Sequence, residues 1–209
     1  MNEQEIRKLI TVLGKSLFDR RYTAGGSGNI SVRIDDGILT TPTNSSMGRL
    51  DPDRISKLDP EGKHLSGDKP SKESRLHLAV YRSRPQAGAV VHLHSPYAVA
   101  VSCLEDIDSE DTIPPLTPYF VMRIGKLPLV PYFPPGDKGL VEAVAKVACE
   151  YKAVLMAHHG SIVTGQHLED AVYSAEELEE TARLFITLKQ LNCRALNDQQ
   201  VAELLRKIA

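Results

Sequence analysis

The sequence predicts a mixed α/β fold in which helices cover a central sheet. Three observations carry that reading. Apolar residues recur at helical spacing in several separate segments, short runs rich in β-branched residues lie between them, and no linker, repeat or composition break interrupts the alternation. The 209 residues are therefore expected to form one domain spanning 1–209.

The chain opens with an amphipathic helix over residues 3–22, where Ile6, Leu9, Ile10, Leu13, Leu17 and Phe18 share a face; Gly25 and Gly26 break the pattern. Ile30–Ile34 and Ile38–Thr41 flank Asp35-Asp36-Gly37, the composition of a tight β-hairpin. The polar stretch to about residue 70 supports short strands at best. Pro70-Ser71 introduces a short helix from Lys72 to Arg82, with Leu76, Ala79 and Val80 on one face and Pro85 as its stop. Ala87 to His94 is an apolar, valine-rich run with the character of a buried strand, and Ser95 and Pro96 suit the N-cap and first position of the next helix. A proline-rich stretch from Pro114 to Pro135 precedes a helix marked by Leu140, Val141, Val144, Val147 and Tyr151. A buried strand over Ala153–Ala157, a long helix over about 168–191 and a terminal helix over 198–208 complete the chain.

Composition removes several function classes. Lys plus Arg number 25 against 27 Asp plus Glu, a net charge of −2, so no basic field draws in nucleic acid or anionic lipid, and an anionic substrate needs a local site. Tryptophan is absent and aromatics are 5%, which leaves no stacking platform for single strands. No apolar run approaches the roughly 20 residues of a membrane helix, and MNEQEIRKL lacks the apolar core of a signal peptide, so a cytoplasmic protein is expected. Cys103, Cys149 and Cys193 are far apart and form no C-x-x-C, which argues against a disulfide framework or a thiolate zinc site and for buried or inert thiols.

The strongest chemical signal is His92-Leu93-His94. Residues two apart on a strand face the same way, so both imidazoles project from one surface, as a metal pair requires. His158-His159-Gly160 follows the predicted strand Ala153–Ala157, at a strand end where α/β folds place ligands, and one of its histidines could complete a three-imidazole set suited to zinc. Glu73 falls in the first turn of a predicted helix, where a carboxylate commonly does no more than complement the helix dipole. His64, His77 and His167 occupy polar or helical contexts and are expected to be structural or exposed. Gly25-Gly26-Ser27-Gly28-Asn29 can turn backbone N–H groups toward an anion. It is not a P-loop, but with the hydroxyl-rich Thr41–Ser46 loop and Lys72 beside Ser71 it makes up a candidate phosphate pocket.

Taken in order, GGSGNIS (25–31), TPTN (41–44), KPSKE (69–73), HLH (92–94) and HHG (158–160) resemble the motif series of the class II aldolase/adducin family, over about residues 5–190. The resemblance implies a single three-layer α/β/α domain with a central, mostly antiparallel sheet, and a homotetramer with one Zn2+ per subunit near a subunit interface. It implies His92, His94 and His159 as zinc ligands, because the family's third histidine directly precedes the glycine. Glu73 takes the place of the family's acid/base, which also ligates zinc when substrate is absent. Gly28, Asn29, Thr43, Asn44, Ser71 and Lys72 fall at phosphate-pocket positions, and Tyr119 resembles the proton donor of the family's aldolases.

Two positions depart from the aldolase pattern. Asn44 stands where those aldolases have glycine, and Ser71-Lys72 where they have a serine pair. The stretches Thr41–Pro52 and His64–Glu73 are most similar to the family's 3-oxo-tetronate 4-phosphate decarboxylases. That similarity implies a phosphorylated four-carbon sugar acid as substrate, in sugar-acid catabolism, and release of carbon dioxide and dihydroxyacetone phosphate through a metal-stabilised enediolate. A sugar-phosphate aldolase or ribulose-phosphate 4-epimerase on the same site is the alternative. A non-catalytic, adducin-like interaction domain would be expected to lack the three histidines and Glu73.

Overall fold

A computed structural model describes residues 1–134 and 136–208. Its strands are β1 (Asn29–Ile34), β2 (Gly37–Thr40), β3 (Ser56–Leu58), β4 (His64–Ser66), β5 (Ala89–Leu93), β6 (Leu129–Val130), β7 (Ala153–Met156) and β8 (Gly160–Gly165). They form one sheet in the order β4-β3-β2-β1-β5-β8-β7-β6. Every neighbouring pair is antiparallel except β6 and β7. The predicted hairpin is present, with Ile34 opposite Gly37 across Asp35-Asp36.

The helices are α1 (Glu3–Asp19), α2 (Ser74–Ser83), α3 (Pro96–Ser102), α4 (Pro118–Arg123), α5 (Lys138–Ala148), α6 (Leu168–Leu188) and α7 (Asp198–Ile208). Strand alternation divides them into two outer layers. Ile30, Val91, Leu93 and Val163 face a core shared with α1, α3, α4 and α6, whereas Ile38, Val90, Val154 and Ile162 face α2 and α5. Each such fully buried Val, Leu or Ile contributes about 1.5–3 kcal/mol before entropy is charged against it. Strand β5, buried at all five residues, is the central support for both layers.

Several elements differ from the sequence expectation. Helix α1 stops at Asp19, before the glycines, because Arg21 turns the chain with φ 65°. Two short 3-10 turns, Met47–Arg49 and Pro52–Arg54, and strands β3 and β4 give the polar stretch more regular structure than its composition suggests. Strand β8 was not foreseen: glycines bound it on both sides, yet all six residues are buried. Helix α4 and strand β6 lie within the proline-rich stretch, whose last residue, Pro135, falls outside the described residues.

Ser95 occupies the N-cap of α3 but its hydroxyl caps nothing; Glu179 of α6 accepts from the backbone N–H groups of Tyr97 and Ala98, both at 2.8 Å. All three thiols are exposed rather than buried. Among the described residues, no helix is long and apolar enough to cross a membrane.

Candidate metal centre

Strands β1, β5 and β8 lie side by side at the middle of the sheet. His92, near the end of β5, pairs with Asn29 on β1 and Ile162 on β8, and its side chain is fully buried. Its Nδ1 lies 2.8 Å from the Ser161 carbonyl oxygen. A carbonyl can only accept, so Nδ1 carries a proton and donates it, and in the neutral ring Nε2 presents its lone pair to the site. His94 lies one residue past β5, and its Nε2 is 2.9 Å from that of His92, on the shared face that the two-residue spacing predicts.

His159 reaches the same point from the β7–β8 turn. The turn is tight: Met156 already pairs with Gly160, His158 has φ 57°, and Gly160 has φ 150°. A Cβ on Gly160 would lie 2.2 Å from the Leu93 carbonyl oxygen, so only glycine lets β8 start against the end of β5. His159 thereby packs against both strand histidines, with ring centroids 5.0 Å from His92 and 4.8 Å from His94, while His158 is exposed and meets Tyr132.

Helix α2 begins at Ser74, so Glu73 stands at its N-cap and not in its first turn. Ser71 shapes this entry, its hydroxyl accepting from the Glu73 N–H and its carbonyl from the Ser74 hydroxyl. The Glu73 carboxylate caps no helix N–H, which corrects the helix-dipole reading. It turns instead to the imidazoles, with Oε2 3.3 Å from His92 Nε2 and Oε1 3.3 Å from His159 Nε2. Asn29 Nδ2 donates to Oε2 at 2.5 Å.

The four side chains place one donor atom each within 4.8 Å of one another. Bonds of about 2.0–2.1 Å to a tetrahedral ion put its ligand atoms roughly 3.3 Å apart, close to the shortest separations here, 2.9–3.3 Å. Three imidazole nitrogens and a carboxylate oxygen are also a donor set that zinc accepts, so the residues fit a divalent ion. The electrostatics agree. Burial pushes the Glu73 carboxyl up, but hydrogen bonds from His159, His92 and Asn29 outweigh it and hold the group well below the usual carboxylate range. Burial pushes His92 down, yet its hydrogen bond with Glu73 leaves it raised, while burial and the neighbouring imidazoles push His94 down to about 4. The cluster therefore holds an anion and draws positive charge to its centre.

The other predicted site residues are spread more widely. Gly28, with φ 74°, passes so close to the His92 carbonyl oxygen that a Cβ would sit 2.9 Å from it. Ser71 and Lys72 line, with Glu73, a cavity of about 380 Å³ between the start of α2 and α5. Thr43 and Asn44 line a separate cavity of about 230 Å³ with Arg49 and Arg54. Tyr119 sits in the first turn of α4, 64% exposed, with no hydrogen bond to the four clustered residues. His64 is exposed and His167 caps α6 by accepting from the Asp170 N–H, as expected of structural histidines. The Ser161 carbonyl that orients His92 and the Asn29 amide that orients Glu73 were not legible as such, because each partnership spans at least 44 residues of chain.

The model of the Class II Aldolase and Adducin N-terminal domain matches residues 8–186. A 3-oxo-tetronate 4-phosphate decarboxylase from Pectobacterium atrosepticum is 50% identical, covering 97% of this chain and 94% of its own. The L-fuculose phosphate aldolase of Escherichia coli is 38% identical, covering 88% of this chain and 84% of its own. The crystal structure of YgbL from Escherichia coli superposes with a TM-score of 0.95 at 47% identity, covering 97% of this chain and 98% of that one.

Proposed function

The chain belongs to the class II aldolase/adducin family, and from that premise we propose that it is a metal-dependent lyase, one catalytic domain over residues 1–209, that decarboxylates a 3-oxo-tetronate 4-phosphate. The observation that carries the reading is the convergence of Glu73, His92, His94 and His159, in a chain about half identical to relatives named for that reaction. A divalent ion held by these residues, zinc in our reading, supplies Lewis-acid polarisation of the substrate's C3 carbonyl oxygen.

The carboxylate of a 3-oxo acid leaves as carbon dioxide, and its bonding pair passes to C2 and onto the C3 oxygen. A proton then returns to C2, giving dihydroxyacetone phosphate. The protein's residues divide the remaining work. Ser161 fixes the tautomer of His92, and Asn29 holds Glu73 ionised and in place. The proton that C2 takes up comes from Tyr119 or, through a water, from Glu73 as the acid/base; we assign it to Tyr119. Since Tyr119 is exposed, we assign it to the site of a neighbouring copy, in a homotetramer. Gly28, Asn29, Thr43, Asn44 and Ser71 receive the phosphate, and the exposed Lys72 pairs with the substrate's phosphate or carboxylate. A cytoplasmic setting suits such a substrate.

The test supplies zinc-loaded protein with 3-oxo-tetronate 4-phosphate and, separately, with fuculose 1-phosphate, and follows carbon dioxide and dihydroxyacetone phosphate. Both products are expected from the first substrate; activity on the second alone overturns the reading in favour of an aldolase. Lys72→Ser removes a charge-assisted contact of about 1.5–3 kcal/mol, so kcat/KM for decarboxylation should fall about 10- to 100-fold. Zinc affinity should stay unchanged, and a parallel loss of both would remove Lys72 from substrate binding.

A further inference from the structure

Helix α2 lies along β1 on the face of the sheet that carries the Glu73–histidine cluster, and two rows of side chains match there. Residues four apart on a helix are about 6 Å apart, and residues two apart on a strand about 6.7 Å. Glu73, His77 and Tyr81 can therefore each meet a member of the row Asn29, Ser31 and Arg33. They do so. Asn29 donates to Glu73, His77 Nδ1 lies 2.7 Å from Ser31 Oγ, and the Tyr81 hydroxyl lies 2.9 Å from the same oxygen. The Arg33 guanidinium lies 4.8 Å over the Tyr81 ring and donates to the Tyr81 carbonyl.

The directions of these bonds can be deduced. Complete burial pushes His77 down to about 3, so its ring is neutral and carries one proton. If Tyr81 donates to Ser31 and Ser31 to His77 Nδ1, both hydroxyl protons are used and the imidazole proton sits on Nε2. The reverse direction would strand the buried Tyr81 proton without an acceptor. Among the described residues, His77 Nε2 is buried without a hydrogen-bond partner, and so is Asn29 Oδ1, whose amide has already committed Nδ2 to Glu73. One is an N–H donor and the other a carbonyl acceptor, and they belong to adjacent steps of the two matched rows. Thr40, opposite Ser31 on β2, adds a third such atom, a buried hydroxyl, to the same face. That set provides the two to four polar groups an internal water needs.

We propose that Tyr81, Ser31, His77 and Asn29 form one chain of hydrogen-bond donors, closed by a single ordered water between His77 Nε2 and Asn29 Oδ1, that fixes the Asn29 amide with its NH₂ toward Glu73. His77 is then a positioning residue for the candidate metal centre. Without it the amide is free to flip, and a flipped amide presents its carbonyl oxygen to the carboxylate, repelling the group it now holds. The consequence for metal binding rests on the metal reading above; the hydrogen-bond chain does not.

The test measures zinc affinity of the purified full chain by competition with a chromophoric chelator. His77→Phe should weaken it about tenfold, at the lower end of what loss of an orienting partner costs a metal site. His77→Gln returns an amide N–H near the position of Nε2 and should recover affinity to within about threefold of the original. A folded His77→Phe that binds zinc as the original does, or a His77→Gln as weak as His77→Phe, overturns the proposal. If His77→Phe fails to fold, Tyr81→Phe decides: a two- to threefold loss supports the chain, on the scale of one neutral hydrogen bond felt at a distance, and unchanged affinity overturns it. Original protein that binds no zinc defeats the metal reading instead. The chain is then read from hydrogen exchange of the Asn29 side-chain amide, slow in the original and fast in Tyr81→Phe if the proposal holds, and equal in both if it does not.

Discussion

At the middle of the sheet, β1, β5, β8 and the start of α2 bring four donor atoms within 4.8 Å of one another. Around α4 and the C-terminal segment, Tyr119, Leu191 and Leu205 stand 64%, 61% and 43% exposed. The first region gathers its donor atoms from within one chain; the second leaves large apolar and aromatic side chains largely open to solvent. Metal ligation needs donor atoms held to a fraction of an ångström, which paired strands achieve and a two-turn helix at the periphery does not. Proton donation tolerates a group brought in by another copy. On the function proposed above, one chain holds the ion and a second copy supplies Tyr119 for turnover.

The largest expected effect comes from breaking the central region at its tightest point. Gly160→Ala must place a Cβ 2.2 Å from the Leu93 carbonyl at φ 150°. The β5–β8 junction has to separate, at a cost of about 3 kcal/mol or more from strain and lost pairing. Urea unfolding should show that loss, and zinc affinity should fall with it because His159 is carried by the same turn. Unchanged stability would mean that the turn has another conformation available and that the histidine cluster is less rigid than its packing indicates.

A smaller effect is expected from the peripheral region, and of a different kind. Tyr119→Phe should lower kcat about 100-fold, the lower range for loss of a general acid, while zinc affinity and the unfolding midpoint stay where they were, since the side chain is largely exposed. Mixing Tyr119→Phe with His159→Ala subunits then sharpens the comparison. If the tyrosine serves a neighbouring site, mixed oligomers regain activity at the sites where an intact cluster faces an intact Tyr119. No recovery would place Tyr119 in its own chain's site or outside catalysis.

The two regions were unequally legible in the sequence. His92 and His94 could be paired from their spacing alone, because strand alternation is a local rule. The α2 helix and the β1–β2 hairpin were readable for the same reason. Strand β8 was not, since Gly160-Ser161-Ile162-Val163-Thr164-Gly165 is short and ends in glycine on both sides; its pairing with β5 and β7 makes it a strand, and that pairing is long-range. Ser95 looked like the cap of α3, but Glu179, about 80 residues away, takes the N–H groups that Ser95 leaves. The motif resemblance supplied Glu73 as an acid/base, whereas the hydrogen bond from Asn29 that holds it depends on the register of β1 beneath α2.

The same register gives the smallest effect and the one most specific to the buried row. His77 titrates near 6.5 when unfolded and is pushed down to about 3 by burial in the folded protein. As pH falls from 6.5, the unfolded chain takes up this proton first, so the ring's contribution to stability is fully present above that pH and is lost progressively toward 3. The loss runs at about 1.4 kcal/mol per pH unit, or roughly 2–3 kcal/mol between pH 6 and pH 4. His94, pushed down to about 4, acts in the same direction, and paired carboxylates add to any acid slope, so the measurement is a difference. Metal-free protein and its His77→Gln variant are unfolded in urea across that range. The variant should show the shallower dependence, because glutamine cannot take up the proton. Parallel slopes would mean that bulk solvent reaches the His77 ring in the folded state, and the buried row from Tyr81 to Glu73 would then be open at its middle.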